Sequence, residues 1–326
     1  MRIDPLAVAL AGAVALAAGP VSAMPRHGAL RSQARTISLR ERTGIAPQFA
    51  SMLRFGLKLP PRPNGTGVPI NLAVSDLETN TVVVLNMSYL PEEIISSGIN
   101  YPDGDWYDSK HNLYVANAVG VTVQQYDASY NNVATYSANL IDPIDVTVDK
   151  RGNVYVADYG NISPSVVVEY PQGSNTPIAT CSTGMANEGV AVDKNGAVFV
   201  SGSMEGIGKI VEYPSGLAGC PTPTTLGVTL GYAGGLRIDK HNNLVACDQV
   251  AQVVDIIPPP YNTISRTITG ADDPFRIAFN MQQTLLYIAD PADGEVHVYK
   301  YASGKNFQTL GSFNGLSDPE GVATYE

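Results

Sequence analysis

The chain has 326 residues, is 44% hydrophobic and only 15% charged, and carries a formal net charge of −10. Its 31 Gly, 23 Pro and 17 Tyr suit a β-rich globular protein better than a helical or a disordered one. Past the first two dozen residues no apolar run approaches the length needed to cross a bilayer.

The chain opens with Arg2, an apolar stretch from Leu6 to Ala18, and the small residues Val21-Ser22-Ala23. That order predicts a signal peptide over residues 1–23, cleaved after Ala23, and so a secreted or periplasmic protein. Residues 24–68 hold eight basic residues against the single acid Glu41, a balance of +7. They end in the Pro- and Gly-rich "LPPRPNGTGVP" at 59–69 and read as a weakly ordered basic leader with a linker. Residues 69–326 hold 11 Lys/Arg and 28 Asp/Glu, a balance of −17. Such a body repels phosphate, so nucleic acid is excluded as its partner. No P-loop or dinucleotide fingerprint occurs either.

From Leu72 onward one pattern recurs. "LAVSD" ends at Asp76, "LYVAN" at Asn117, "VYVAD" at Asp158, "VFVSG" at Gly202, "LVACD" at Asp248 and "LYIAD" at Asp290. A period near forty in a β-rich chain predicts a propeller with one four-stranded antiparallel blade per repeat. Each unit reads as an inner strand ("DWYD", "VTVD", "VAVD", "LRID", "IAFN"), a polar turn, the second strand just given, an apolar third and a more polar outer strand. Only five inner strands lie between the six second strands. The terminal "DPEGVATYE" matches "NEGVAVDK", so 318–326 is expected to supply the missing inner strand of blade 1 and close the ring. The expected fold is therefore all-β: a six-bladed propeller over 69–326, expected as a monomer.

Units such as "DPIDVTVDKRGNVYVADYGN" (142–161) resemble NHL repeats, and the likeness runs from 69 to the end. The resemblance implies a six-bladed propeller; it implies no single function, since such propellers serve as enzymes and as binding scaffolds.

The residues that carry chemistry are mostly acids. The position five before each inner-strand Asp or its equivalent reads Glu320, Asp103, Ile144, Glu188, Gly234 and Phe275 around the ring. Loops entering inner strands gather at one channel mouth in propellers, so Glu320, Asp103 and Glu188, with Asn187 beside them, are candidate ligands for a divalent ion, Ca²⁺ by oxygen preference. That arrangement resembles the SMP-30/gluconolactonase group, in which a channel ion polarises a lactone; here only "PEGV" and "NEGV" match that group's entry motif. The plain alternative is a ring of solvated acids. The Asp residues closing the second strands, such as Asp158 and Asp290, read as turn-forming. The four histidines show no metal-cluster spacing, and no motif marks a catalytic nucleophile. Cys181 and Cys220 are placed to pair across the rim of successive blades, leaving Cys247 in a strand, or to remain thiols. Two roles stand open: an exported scaffold binding a protein, peptide or glycan at the mouth or on Tyr-rich edges, or a divalent-metal lactonase or esterase.

Overall fold

The computed structural model describes residues 71–160 and 165–325; the expected signal peptide and leader lie outside the described residues. Twenty-four strands form six four-stranded antiparallel sheets. Taken from inner to outer strand, blade 2 is Pro102–Tyr107, Leu113–Asn117, Thr122–Tyr126 and Asn132–Tyr136. Blade 3 is Pro143–Val148, Val154–Asp158, Val166–Tyr170 and Ala179–Ser182. Blade 4 is Ala186–Val192, Val198–Met204, Ile207–Tyr213 and the two-residue Thr224–Thr225. Blade 5 is Ala233–Ile238, Leu244–Asp248, Val253–Ile257 and Arg266–Thr269. Blade 6 is Arg276–Phe279, Leu285–Asp290, Glu295–Lys300 and Lys305–Leu310. Blade 1 joins both parts of the chain: Pro319–Tyr325 inside, then Asn71–Asp76, Thr81–Asn86 and Pro91–Ile95.

The C-terminal strand lies antiparallel on Asn71–Asp76, with Val322 opposite Val74 and Tyr325 opposite Asn71. Neighbouring inner strands touch all the way round, blade 6 meeting the C-terminal strand. The buried apolar side chains form six clusters, one in each gap between blades. A single blade cannot cover both its faces; stacking in a closed ring buries them all, and each inner strand, paired on one side only, turns its other edge to the channel. The second strands show this best, since "VYVAD" at 154–158 and "LVACD" at 244–248 are buried at every position.

Tyr residues lock adjacent blades. Tyr126 donates to the Ser97 carbonyl at 2.7 Å, Tyr213 to that of Ser182 at 2.9 Å, and Tyr170 to that of Ala138, each one blade back. Tyr107, Tyr114, Tyr170, Tyr213 and Tyr261 are buried. The Tyr-rich stretches read from sequence as contact surface are therefore interior packing.

Two sets of acids hold the loops. Asp108, Asp149, Asp193 and Asp239 accept backbone N–H bonds at 2.8–2.9 Å inside the hairpin that follows each inner strand. Asp76, Asp158, Asp248 and Asp290, which close second strands, accept N–H bonds from the loop entering the inner strand of their own blade. The second set does more than start a turn: it fixes the mouth loops to the sheet. Cys181, in the outer strand of blade 3, and Cys220, just ahead of the short outer strand of blade 4, form a disulfide with a sequence separation of 39. A loop of that size is worth about 4 kcal/mol in the chain-entropy account. Cys247 is a buried free thiol whose pKa burial pushes up.

Candidate functional site at the channel mouth

Inner strands begin about three residues earlier than the sequence pattern indicated, at Pro102 and Pro143, for example. A register shift accompanies the entry in blades 2 to 5, between Pro102 and Asp105, Pro143 and Asp145, Asn187 and Gly189, and Ala233 and Leu236, and blade 1 has one between Ser75 and Asp76. These bulges turn backbone toward the axis and set up successive rings of equivalent residues.

The outermost ring is the one expected: Glu320, Asp103, Ile144, Glu188, Gly234 and Phe275, with Asp103, Glu188 and Glu320 all buried. The next ring reads Gly321, Gly104, Asp145, Gly189, Gly235 and Arg276. Four glycines let the strands crowd together; a Cβ on Gly321 would collide with the Asp103 carbonyl, and one on Gly235 would stand 2.8 Å from that of Phe275. The two large members, Asp145 and Arg276, come from the diametrically opposed blades 3 and 6.

Arg276 fills the space among the acids. Its Nη2 lies 2.8 Å from Asp103 Oδ1 and 3.9 Å from Glu188 Oε2. The same nitrogen donates across the channel to the Ile144 carbonyl at 3.1 Å, and Nη1 donates to the Phe275 carbonyl at 3.2 Å. The guanidinium carbon sits 4.2 Å from the Phe275 ring centroid. Burial works to discharge Arg276, but Asp103, Asp145, Glu188 and Glu320 hold its pKa above the ordinary value. Burial first, then the charges of Asp103 and Asp318, pushes the Glu320 carboxyl well above the carboxylate range, with Arg276 partly offsetting them. Tyr232 donates to Glu188 Oε1 at 2.6 Å. Gln249 is buried beside Gly234, and both its amide atoms lack hydrogen-bond partners among the described residues.

Beneath the acids a second arginine crosses the channel. Arg237 of blade 5 donates Nη1 to Asp145 Oδ2 at 2.9 Å and Nη2 to Asp145 Oδ1 at 3.2 Å, with a further bond to the Asp105 carbonyl of blade 2. Asp145 Oδ2 also accepts the Val190 N–H. Asp105 occupies the layer where the other blades place Val322, Val146, Val190, Leu236 and Ile277. Its carboxylate accepts the Ser75 N–H at 3.0 Å and hydroxyl at 2.7 Å. Burial chiefly, reinforced by Asp103 and Asp145, raises its pKa to about 7.

Of the residues proposed from sequence, Asp103, Glu188 and Glu320 meet at the mouth around Arg276. Asn187 does not point there: its amide donates to the Asp158 and Val166 carbonyls of blade 3, and Thr183 donates to its oxygen at 2.5 Å. It is a clamp between blades. The sequence reading passed over Arg276, Arg237 and Asp105. For the two arginines the signal was there: each is a charge inside an otherwise apolar inner strand, as in "FRIAF" and "GLRID". It read Asp290 as turn-forming and found no metal-cluster spacing for the histidines, but did not join Asp290 and His297 with Asp293; the potential ligand atoms of these three lie within 4.8 Å of one another on blade 6. Asp290 spends both oxygens on loop N–H groups. Burial lowers the His297 imidazole pKa, but the hydrogen bond and charge of Asp290, 3.3 Å away, hold it above its usual value. That cluster is a buried ion pair pinning a loop.

No family model matches the chain, and no curated protein matches it by sequence. Among solved structures, a chain of a nidogen/laminin complex superposes with a TM-score of 0.65 at 15% identity, covering 78% of this chain and 97% of that one. A protein of unknown function from Bacteroides caccae does so with a TM-score of 0.64 at 13% identity, covering 79% and 99%. At that identity the likeness is one of fold. The chain is a six-bladed β-propeller, and no helix of the described residues is long and apolar enough to cross a membrane.

Proposed function

We propose that this chain is an exported binding scaffold of NHL type, whose recessed, acidic channel mouth receives a basic group of a protein or peptide ligand. The observation that carries this reading is Arg276. A divalent ion held by Asp103, Glu188 and Glu320 would have to share their space with a guanidinium 2.8 Å from one of them. With its own cation in place, the ring needs no metal to offset its like charges, and the metal-dependent lactonase reading loses its main support. Asp103 and Glu188 together still outnumber Arg276, so the mouth attracts a cationic side chain or amino group. Gln249, with a donor and an acceptor both unused, adds capacity for an amide or a similar polar group. A structural neighbour comes from a complex of two proteins, in keeping with a partner-binding role. The signal-peptide reading of residues 1–23 and the Cys181–Cys220 disulfide agree with export to an oxidising compartment.

The test is a peptide array of mixed composition, probed with purified protein, alongside bound-metal analysis and a lactone and ester panel. Basic peptides are expected to be enriched, with binding that weakens as salt rises and is lost in Glu188→Gln. Calcium that survives dialysis in stoichiometric amount, together with lactone or ester turnover abolished by Glu188→Gln and Glu320→Gln, would overturn the scaffold reading in favour of the hydrolase.

A further inference from the structure

The end of the channel opposite the mouth holds a cavity of about 380 Å³. All six inner strands line it, through the equivalent residues Ala323, Trp106, Thr147, Ala191, Arg237 and Ala278. Four small side chains leave the space open. The two large ones, Trp106 of blade 2 and Arg237 of blade 5, come from opposed blades and meet over the axis, the guanidinium carbon 5.2 Å from the indole centroid. Above them the Arg237–Asp145 pair and Arg276 cross the channel, so this cavity is separate from the acidic mouth and independent of the role proposed for it.

The roof has one unused donor. The Arg237 Nη atoms serve Asp145 twice and the Leu236 and Asp105 carbonyls. Its Nε–H makes none of these four bonds, and the residue is only 4% exposed. Aromatic rings form one side of the rim: His111 stacks on Tyr325 at 3.8 Å, and Tyr325 tilts against Tyr107 at 5.8 Å. The charge here differs from the mouth. Lys110, Lys150, Arg151, Lys194 and Lys240 sit in the hairpins around this end beside the capping Asp108, Asp149, Asp193 and Asp239. Five basic residues face four acidic ones in these hairpins, and the two carboxyls that line the cavity are already hydrogen-bonded, Asp105 to Ser75 and Asp108 to its own hairpin.

We propose that this cavity is a second binding site, for a small planar ring compound that bears a carboxylate. The ring lies along Trp106 among the alanines, and a carboxylate oxygen accepts the Arg237 Nε–H. The volume falls in the range of small-ligand pockets, the aromatic and apolar lining favours a flat ring, and a guanidinium N–H left over from those four bonds favours an oxygen acceptor.

Trp106 is the only tryptophan of the chain, so its indole N–H gives a single side-chain peak in a ¹H–¹⁵N spectrum. The probe is 2-naphthoate; octanoate lacks the ring, and 2-naphthylmethylammonium lacks the acceptor oxygen. Saturable movement of the indole peak by 2-naphthoate is expected, at least ten-fold tighter than with either comparison compound. Ala278→Phe and Ala191→Phe, which fill the cavity, are expected to weaken that binding at least ten-fold while the backbone spectrum is preserved. The three-probe comparison uses the unaltered chain and decides the matter even where a filling variant does not fold. An indole peak that stays still at millimolar 2-naphthoate, an equal response to all three probes, or undiminished binding in a folded filled variant would overturn the proposal.

Discussion

Arg276 can be tested by removal. At an effective dielectric near 20, a unit charge 2.8 Å from Asp103 and 3.9 Å from Glu188 gains about 6 and about 4 kcal/mol of gross attraction. Desolvating the guanidinium returns several kcal/mol of that. Arg276→Met keeps the aliphatic stem of the side chain but removes the guanidinium and strands the acids, so the expected loss of stability is about 3–5 kcal/mol at pH 7.5. The sign with pH follows from protonation. In the variant, the buried Asp103 and Glu188 carboxyls bind protons more tightly folded than unfolded, so the deficit is small near pH 4 and grows as pH rises. Urea unfolding at pH 4.5 and 7.5 measures both quantities. The variant also turns the mouth into an unneutralised acid cluster. Millimolar Ca²⁺ should stabilise it by about 1–3 kcal/mol through linkage and leave the parent chain unmoved. A deficit under about 1 kcal/mol at pH 7.5, a deficit that does not vary with pH, or calcium stabilisation of the parent that the variant loses would refute the view that Arg276 is the cation of this site.

Asp105 offers a test of the opposite sign. Its folded pKa of about 7 lies above the ordinary 3.8, so the folded state binds the proton more tightly. Its cost is absent below pH 4 and grows as pH rises toward 7, up to roughly 3–4 kcal/mol. Asp105→Asn should therefore match the parent near pH 4.5 and exceed it by about 2–3 kcal/mol at pH 8, as read by urea unfolding; a variant less stable than the parent at pH 8 would contradict the assignment. Removing residues 319–326 strips the inner strand of blade 1 and uncovers Leu72, Val74 and the edge of Asn71–Asp76. The truncated chain is expected to lose its cooperative thermal transition, and a cooperative transition within a few degrees of the parent would show that the ring does not depend on that strand.

The ring itself was legible because it rests on repetition. Six copies of an apolar second strand ending in Asp, Asn or Gly, one missing inner strand and a matching tail are enough to count blades and place the closure. The disulfide candidates were legible for the same reason, since the repeat places Cys181 and Cys220 on neighbouring rims. Blade 4 was harder: its outer strand shrinks to Thr224–Thr225, and the disulfide, a covalent tether, stands in for pairing there. The acids at Glu320, Asp103 and Glu188 could be aligned into one ring from the repeat. What stands between them could not, because Arg276 enters from the ring below and reaches upward. A repeat pattern assigns residues to layers but not side chains to the layer they reach. Asn187 failed in the converse way: it neighbours Glu188 in sequence, yet the alternation of a strand sends it to the facing blade instead of the axis.

Comparing the blades around the ring separates the channel residues that the architecture needs from those it does not. Around each ring the blades are equivalent, so the commonest residue at a position is the one the architecture needs. At the position of Arg276 and Asp145 four blades use Gly; at that of Trp106 and Arg237 four use Ala or Thr; at that of Asp105 five use Val, Leu or Ile. Each exception is a large or charged group, the charged ones buried at a cost, in a place where the other blades use a small or apolar residue. Packing cannot explain that concentration, since the interfaces between blades are already filled by their six apolar clusters. Every exception faces, braces or seals one of the two recesses: Arg276 in the mouth, Trp106 and Arg237 in the opposite cavity, Asp145 and Asp105 holding the partition between them. A stabilising Asp105→Asn that weakens binding at either end would be the expected behaviour of a residue kept for a site at the expense of the fold.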